Sequence, residues 1–366
     1  MMRVVMAGPL PPLIGGMSTV IDDIAHSSLA ENVELVLFNT AKSTPESRSL
    51  LNAVTARFGL WHSWWKAMNP ADRTLVHIHT CSGLSYFLDG AYLLLARARG
   101  IPAVLHVHGG RFDSFLDGLS PLHLSFARLI ARCADRVVVL SEEWKKMLAA
   151  RLPGASFSVI ENGVSIPKLA IEKSADEKII LFLGNLCASK GVWELLSCAK
   201  GFPPGVRLVL VGGEEDPGIA AKIREHLIRD GTEDRVNLTG PLTGNAKFDW
   251  LYRADIFALP SYAEGVPISM LEAAAAGLPL VVTPVGGIPS VLTDGENALF
   301  VMPCDKDQLC SAITRLIGDP ELRQRLGHAA KEHVLGRYSI ENSALRYLEL
   351  YREMRPAFFP PAPAGG

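Results

Sequence analysis

Long apolar runs are missing from this sequence, which nowhere approaches the ~20 consecutive apolar residues a membrane-spanning helix needs. Nor does a leader-like apolar segment follow the first residues, because Met2-Arg3 passes straight into Val4-Val5-Met6-Ala7 and then Gly8-Pro9. Cysteine is scarce. Its six copies (Cys81, Cys133, Cys187, Cys198, Cys304, Cys310) are scattered without CxxC spacing, which argues against a disulfide framework or structural zinc and fits a reducing cytosol. Clustered positive charge is absent too. Lys and Arg number 36 against 38 Asp and Glu, a net charge of −2, and no basic run offers nucleic acid a local footing. The expectation is a cytoplasmic protein that neither spans a membrane nor binds nucleic acid, with peripheral attachment to the inner membrane face left open.

What is present is 366 residues, 48% of them hydrophobic, enough for two domains with a core each. Short Val/Ile/Leu runs alternate with longer helical patterns, the signal of parallel sheets buried on both faces. In the first half the expected strands are Arg3–Ala7, Glu34–Phe38, Thr74–His79, Ala103–His108, Arg136–Leu140 and Ser158–Ile160. In the second they are Ile179–Leu183, Arg207–Val211, Val236–Leu238, Ile256–Leu259, Leu280–Thr283 and Ala298–Val301. Six and six predict an α/β protein of two Rossmann-like domains, with Ile166–Lys178 as the linker. Open parallel sheets hold ligands beyond the carboxyl ends of their strands, so residues there are the candidates for chemistry.

The most informative stretch is Ser261–Gly287. It follows the apolar strand ending at Leu259, carries Glu264 in a loop, and opens a helix at Pro267, where proline's missing donor is not needed. That helix is apolar nearly all round and stops at Gly277, yet holds Glu272, a carboxylate that is costly in a buried helix without a partner. Glu264 and Glu272 flank a helix N-terminus whose amides favour an anion, and at about 1.5 Å rise per residue their eight-residue separation puts them on the order of 10–12 Å apart. Hydroxyls at both ends and phosphates between is the layout of a nucleotide-diphosphate sugar. The competing reading is a solvated Glu264 and a Glu272 paired with a distant Arg.

Glu264-x7-Glu272, with Gly277-Leu278-Pro279-Leu280-Val281-Val282 and Gly286-Gly287 after it, resembles the signature of glycosyltransferase family 4. The resemblance implies the GT-B fold, two Rossmann-like domains facing across a cleft, and a retaining reaction. It implies domains at residues 1–167 and 178–341, with a last helix from about Asn342 crossing back onto the first domain (342–366). Gly265, Val266 and Pro267 then belong to the donor site with Glu264 and Glu272, and Gly15 and Gly16, after the first strand, meet the donor as well.

Two His-x-His pairs, His77/His79 and His106/His108, end two expected strands, where residues i and i+2 share a face. Four imidazoles could converge as a metal cluster, but no carboxylate or cysteine accompanies them at ligand spacing. The preferred split gives His77 and His106 to the core and His79 and His108 to the cleft. By resemblance, His108-Gly109-Gly110 marks the histidine that contacts the transferred sugar, and makes His108 the catalytic side chain, with Arg111 and Asp113 as acceptor contacts. Gly184-Asn185 and Lys190-Gly191 follow the first strand of the second half, where Lys190 would meet the diphosphate as a compact charge. The family commonly has Arg where this chain has Asn185. By the same resemblance, Gly213 and Leu242 are expected to meet the nucleoside through the backbone. Asp305-Lys306-Asp307 has a metal-binding spacing, but sits where a helix N-cap is needed, so no metal or other cofactor is expected.

Leu51, Val54, Phe58, Trp61, Trp65 and Met68 form one helical stripe, expected to be core, with Trp64 left exposed. Tryptophan beside Arg57 and Lys66 is also what an interfacial helix shows, so the helix around Trp61–Trp65 is a candidate for peripheral membrane contact. The resemblance implies a retaining glycosyltransferase that moves a hexose from a nucleotide-diphosphate sugar to a hydroxyl of a glycan or lipid-linked glycan acceptor. A GT-B sugar-nucleotide 2-epimerase and a non-catalytic nucleotide-sugar-binding protein are the alternatives.

Overall fold

Strands that are apolar on both faces need helices on both sides, and such sheets are parallel. The computed structural model has two of them. It describes residues 1–11, 15–41, 50–69, 71–109, 112–167, 169, 173 and 177–359, apart from the side chains of residues 50–58 and 71.

The first sheet contains β1 (Arg3–Gly8), β2 (Glu34–Asn39), β3 (Thr74–Thr80), β4 (Ala103–Val107), β5 (Arg136–Val139) and β6 (Phe157–Val159), in the order β2-β1-β3-β4-β5-β6. All neighbours are parallel, and His79 lies opposite His106 in the β3–β4 register. The second contains β7 (Lys178–Leu183), β8 (Val206–Val211), β9 (Val236–Gly240), β10 (Ile256–Leu259), β11 (Leu280–Val282) and β12 (Leu299–Phe300), in the order β12-β11-β10-β7-β8-β9. It too is parallel throughout. The expected two sheets of six strands are therefore present. Strand order reverses between β1 and β3 in one sheet and between β7 and β10 in the other, the places where such sheets open a crevice for ligands.

Two compact units result: Met1–Leu13, Met17–Asn162 and Ile340–Gly366 form one, Ile14–Gly16 and Gly163–Ser339 the other. The helix Ile340–Met354 belongs to the first unit because its Tyr347 and Tyr351, one turn apart, are buried against β3, and its Arg346 pairs with Glu161. Local chemistry marks other helix starts. Ser120 and Ser141 accept the amides of His123 and Trp144, and Asp305 accepts that of Gln308, so the Asp-x-Asp begins a helix with its first carboxylate as cap.

Two expectations are overturned. Along the helix Leu50–Ala67 it is Trp64 that is fully buried, while Trp61 and Trp65 are 41% and 45% exposed. Spacing alone permits either face. Trp64 takes the interior because its Nε1 finds an acceptor there, the Tyr92 carbonyl at 3.1 Å, and its ring meets Phe38 and Tyr92 edge-on. Arg99 lies over the outer face of Trp65, 4.2 Å from the ring centre. Leu51, Val54, Arg57 and Phe58 have side chains outside the described residues.

The second correction concerns cysteine. Cys198 and Cys310 form a disulfide between the helices Val192–Ala199 and Lys306–Gly318, although 112 residues separate them in sequence. Spacing could not show this, since the helices are brought together by their own buried faces (Leu195, Leu196; Leu309, Ile313). Among the described residues no helix is long and apolar enough to cross a membrane. Thiol titration in denaturant should find four reactive thiols without reductant (Cys81, Cys133, Cys187, Cys304) and six with it; six in both conditions would refute the bridge.

Candidate active site

Beyond β7 and β10, on either side of the strand-order reversal, the second unit gathers charge. Glu264 is buried, and one of its oxygens receives two donors: Lys190 Nζ at 2.6 Å and Ser261 Oγ at 2.7 Å. Ser261 is held in turn, since its carbonyl accepts Thr283 Oγ1 at 2.5 Å. Glu264 is thus not the solvated loop residue of the competing reading. A buried carboxylate is tolerable only with such partners.

Two glycines let these loops meet. Gly191, beside Lys190, has φ +71°, and a Cβ there would lie 2.3 Å from the Pro260 carbonyl oxygen. Gly286, at φ +56°, would place one 1.7 Å from the carbonyl oxygen of Glu264 itself. Both positions demand a left-handed conformation and the absence of a side chain. Gly287 N donates to the Gly265 carbonyl at 2.8 Å, which fixes the loop that leads to Val266 and Pro267.

The following helix runs Ile268–Ala276 and stops at Gly277. Pro267 flanks it with extended backbone (ψ 125°) and is not its first helical residue, one position off the expectation. The ring fixes φ but leaves ψ free, so the chain turns into the helix one residue later. Glu272 is fully inside this helix, and its partner is Lys247 on the helix Gly244–Arg253, not an Arg. Burial pushes the Glu272 carboxyl above its usual range, and Lys247 pulls it partly back. Lys247, Ser261 and Thr283 were not singled out in the sequence. Nothing near Lys247 signals it except its place a few residues beyond the end of β9.

The backbone approaches at the other strand ends are close. Gly184 N donates to Val211 O, Gly212 N to Gly240 O and Leu186 N to Gly213 O, so the Gly184, Gly213 and Leu242 segments are neighbours. Asn185 is exposed and donates to Glu215 at 3.3 Å, a neutral contact where the family has a cation.

In the first unit the strand ends carry neutral groups. His77, His79 and His106 are fully buried, and His108, just past β4, keeps part of its surface. His79 Nδ1 lies 2.8 Å from His108 Nε2, His77 Nε2 lies 3.2 Å from His106 Nδ1, and His77 Nδ1 lies 2.5 Å from the Tyr351 hydroxyl. Desolvation lowers all four pKa values, His77 and His108 to about 3, and the neighbouring imidazoles add to it for all but His108. His77 and His106 occupy the core as expected. His79 does not face outward: alternation puts it on the same buried face as His77, and its Nδ1 meets His108.

One ring nitrogen each of His77, His79 and His106 lies within 4.8 Å of the others, and neutral imidazoles are fit to bind a metal. What shifts these rings is burial and one another, with no carboxylate contributing, so a dication there would be poorly offset. Asp113 opens the helix Phe112–Asp117, and Gly15 and Gly16 stand at the start of the helix Gly16–Ala25. Arg111 lies outside the described residues.

Removing Lys247 strands a buried carboxylate. Lys247→Met should therefore lower stability at pH 7 by about 3–5 kcal/mol. The folded pKa of Glu272 is already raised and will rise further, so protonation relieves the penalty. The deficit relative to the parent is greatest above the folded pKa and shrinks as pH falls through it. Denaturant titrations at pH 7.5 and 4.5 check this; an equal deficit at both would contradict it.

Residues 14–167 match the family model "Glycosyltransferase Family 4" and residues 168–333 match "Glycosyl transferases group 1". A D-inositol 3-phosphate glycosyltransferase of Mycobacterium marinum is 28% identical over 312 residues, 78% of this chain and 65% of that protein. The chain thus spans just under two thirds of that relative's length. A GDP-mannose:cellobiosyl-diphosphopolyprenol alpha-mannosyltransferase of Xanthomonas campestris is 26% identical over 91% of this chain and 94% of its own. In fold, the chain resembles the sucrose-phosphate synthase of Thermosynechococcus elongatus (TM-score 0.79, 21% identity, 97% of this chain and 100% of that one). Anabaena HepE, solved in complex with UDP-glucose, is similar as well (TM-score 0.75, 17% identity, 96% and 100%). Two six-stranded parallel sheets, Glu264 and the Glu272 helix beyond the second, and family matches running unbroken from residue 14 to residue 333 have one meaning: this chain belongs to glycosyltransferase family 4, with the GT-B fold.

Proposed function

We propose that the protein transfers a hexose from a nucleotide-diphosphate sugar to a hydroxyl of a glycan or lipid-linked glycan, with retention of anomeric configuration. The observation that carries this is the pairing of buried Glu264 with half-buried Lys190 at the strand-order reversal, beside the Glu272 helix. Glu264 has one oxygen taken by Lys190 and Ser261; the carboxylate orients the sugar hydroxyls. Lys190, still partly exposed, offsets the charge that develops on the departing diphosphate. The amides of Gly265 and Val266 assist it, with Pro267 shaping the turn.

Glu272 accepts from the ribose, and Lys247 opposes the effect of its burial by favouring the carboxylate. Gly184, Asn185, Gly213 and Leu242 line the nucleotide's path, and Gly15, Gly16 and His108 contact the donor. Asp113 and Arg111 are assigned to the acceptor. With Lys190 and amides opposing the leaving charge, the reaction needs no metal. Support for the substrate class comes from the names of the relatives, which include a GDP-mannose-dependent transferase acting on a polyprenol-linked sugar, and from HepE, which was solved with UDP-glucose.

The test is a panel of UDP-glucose, ADP-glucose, UDP-N-acetylglucosamine and GDP-mannose, with candidate acceptors, in EDTA, following released nucleoside diphosphate. Acceptor-dependent release is expected. Glu264→Gln should lose at least about 100-fold in kcat, the order seen when one charge-stabilising contact is removed, while still binding the nucleoside diphosphate by calorimetry. Isomerised sugar without release would favour the epimerase reading, binding without turnover the sensor reading, and rescue of a dead EDTA reaction by manganese would restore Asp305 and Asp307 as metal ligands.

A lipid-linked acceptor asks for contact with a membrane surface. Exposed Trp61 and Trp65 share one helix face, with Arg99 over Trp65 and Lys66 exposed beside it. Tryptophan prefers the headgroup level and cations favour anionic lipid. The helix Pro121–Cys133 offers a competing apolar face through Leu122, Phe126 and Leu129. Sedimentation with vesicles of anionic phospholipid at low salt should be reduced several-fold by Trp61→Ser with Trp65→Ser and little by Leu122→Ser with Leu129→Ser. The reverse would move the contact to the second helix, and no sedimentation of the parent would remove it.

A further inference from the structure

His108 is bonded through Nε2, and that leaves the direction of the bond to be settled: either ring could be the donor. The buried neighbours decide it. A neutral imidazole carries one proton, as donor on one nitrogen, and a bare lone pair on the other. Burial keeps these rings neutral at physiological pH.

Among the described residues, His79 Nε2 and His106 Nε2 are buried atoms with no hydrogen-bond partner. An orphaned buried N–H is rarer and costlier than an unused acceptor. Both Nε2 atoms are therefore lone pairs, and both rings carry their proton on Nδ1. His106 Nδ1–H then donates to His77 Nε2, so His77 is also protonated on Nδ1 and donates to the Tyr351 hydroxyl oxygen. By the same step His79 Nδ1–H donates to His108 Nε2. The accepting Nε2 forces the His108 proton onto Nδ1, the one remaining polar atom of that ring.

We infer that His79 is a positioning residue that locks His108 in the Nδ1–H tautomer, so that His108 presents a hydrogen-bond donor, and not a base, to its ligand. The ligand class that fits is an oxygen acceptor: a sugar hydroxyl or ring oxygen, or an oxygen of the leaving phosphate. No proton leaves the ring in this role, and the acceptor proton must go elsewhere, to the leaving group or water. The direction of catalysis at His108 rests on the function proposed above; the tautomer does not.

The tautomers are read directly from long-range proton–nitrogen correlation spectra of protein labelled with ¹⁵N-histidine, at pH 7.5, with His79→Asn, His79→Phe and His108→Ala used for assignment. In the parent, His77, His79, His106 and His108 should each show a protonated-type Nδ1 and a bare-type Nε2. His79→Asn keeps an N–H donor near the Nδ1 position and should preserve the His108 tautomer. His79→Phe keeps a ring of similar shape without the donor, and His108 should become a mixture.

Turnover should follow with whichever donor of the four-sugar panel is used. His79→Phe should lower kcat about tenfold, the scale of one modest hydrogen bond, with the donor KM changed less than kcat, and His79→Asn should recover most of it. A bare-type Nδ1 on His108 in the parent overturns the proposal whatever the enzyme does. So does an unchanged His108 tautomer in His79→Phe. If the spectra behave as expected but His108→Ala turns over at the parental rate, the sugar-contacting role of His108 fails, and with it the catalytic part of the inference, while the lock itself stands.

Discussion

A carboxylate taken out of water has to be answered by a positive charge or a proton, and the second unit is arranged around doing this at Glu264. The answer comes from Lys190, 74 residues earlier in the chain, at 2.6 Å. For the two to meet, the loops beyond β7 and β10 must touch, which needs no side chain at Gly191, and the loop beyond β11 comes up against Glu264 itself, which needs none at Gly286. Ser261 adds a second donor and is itself held by Thr283 from the end of β11. Three neighbouring strands therefore contribute to the setting of one carboxylate, and the reversal of strand order between β7 and β10 is what makes them neighbours there.

The first unit meets the same desolvation differently. Its strand ends carry imidazoles that give up their charge, since burial lowers the pKa of each. The two units accordingly supply different tools: fixed charge beyond β7 and β10, and neutral, directional hydrogen bonding at the ends of β3 and β4. Tyr351 extends the histidine chain into the helix Ile340–Met354, its hydroxyl meeting His77 from 274 positions away.

Patterns with a short period were legible. The strands were readable because buried parallel strands are continuous apolar runs, Glu272 because a carboxylate inside an apolar helix is conspicuous, and Glu264 through its eight-residue spacing from Glu272. Lys247 was not, because a lysine on an ordinary helix carries no mark of the partner it will meet 25 residues later. The Trp helix misled for a related reason. Apolar residues at spacings of three and four defined one stripe through Trp61 and Trp65 with Trp64 beside it, and the choice fell to the Tyr92 carbonyl that could accept the Trp64 N–H.

By itself, then, the sequence determined what depends on neighbours along the chain: strand and helix periods, the stop at Gly277, the cap at Asp305, and the eight-residue carboxylate spacing that marks the family. Tertiary structure decided what depends on partners far apart in sequence. It chose Lys190 for Glu264 and Lys247 for Glu272, joined Cys198 to Cys310, turned Trp64 inward, and set His79 against His108. The physical reason is the same in each case. A buried polar or charged group is stabilised by whatever satisfies it in space, and the local sequence records only that it will need satisfying.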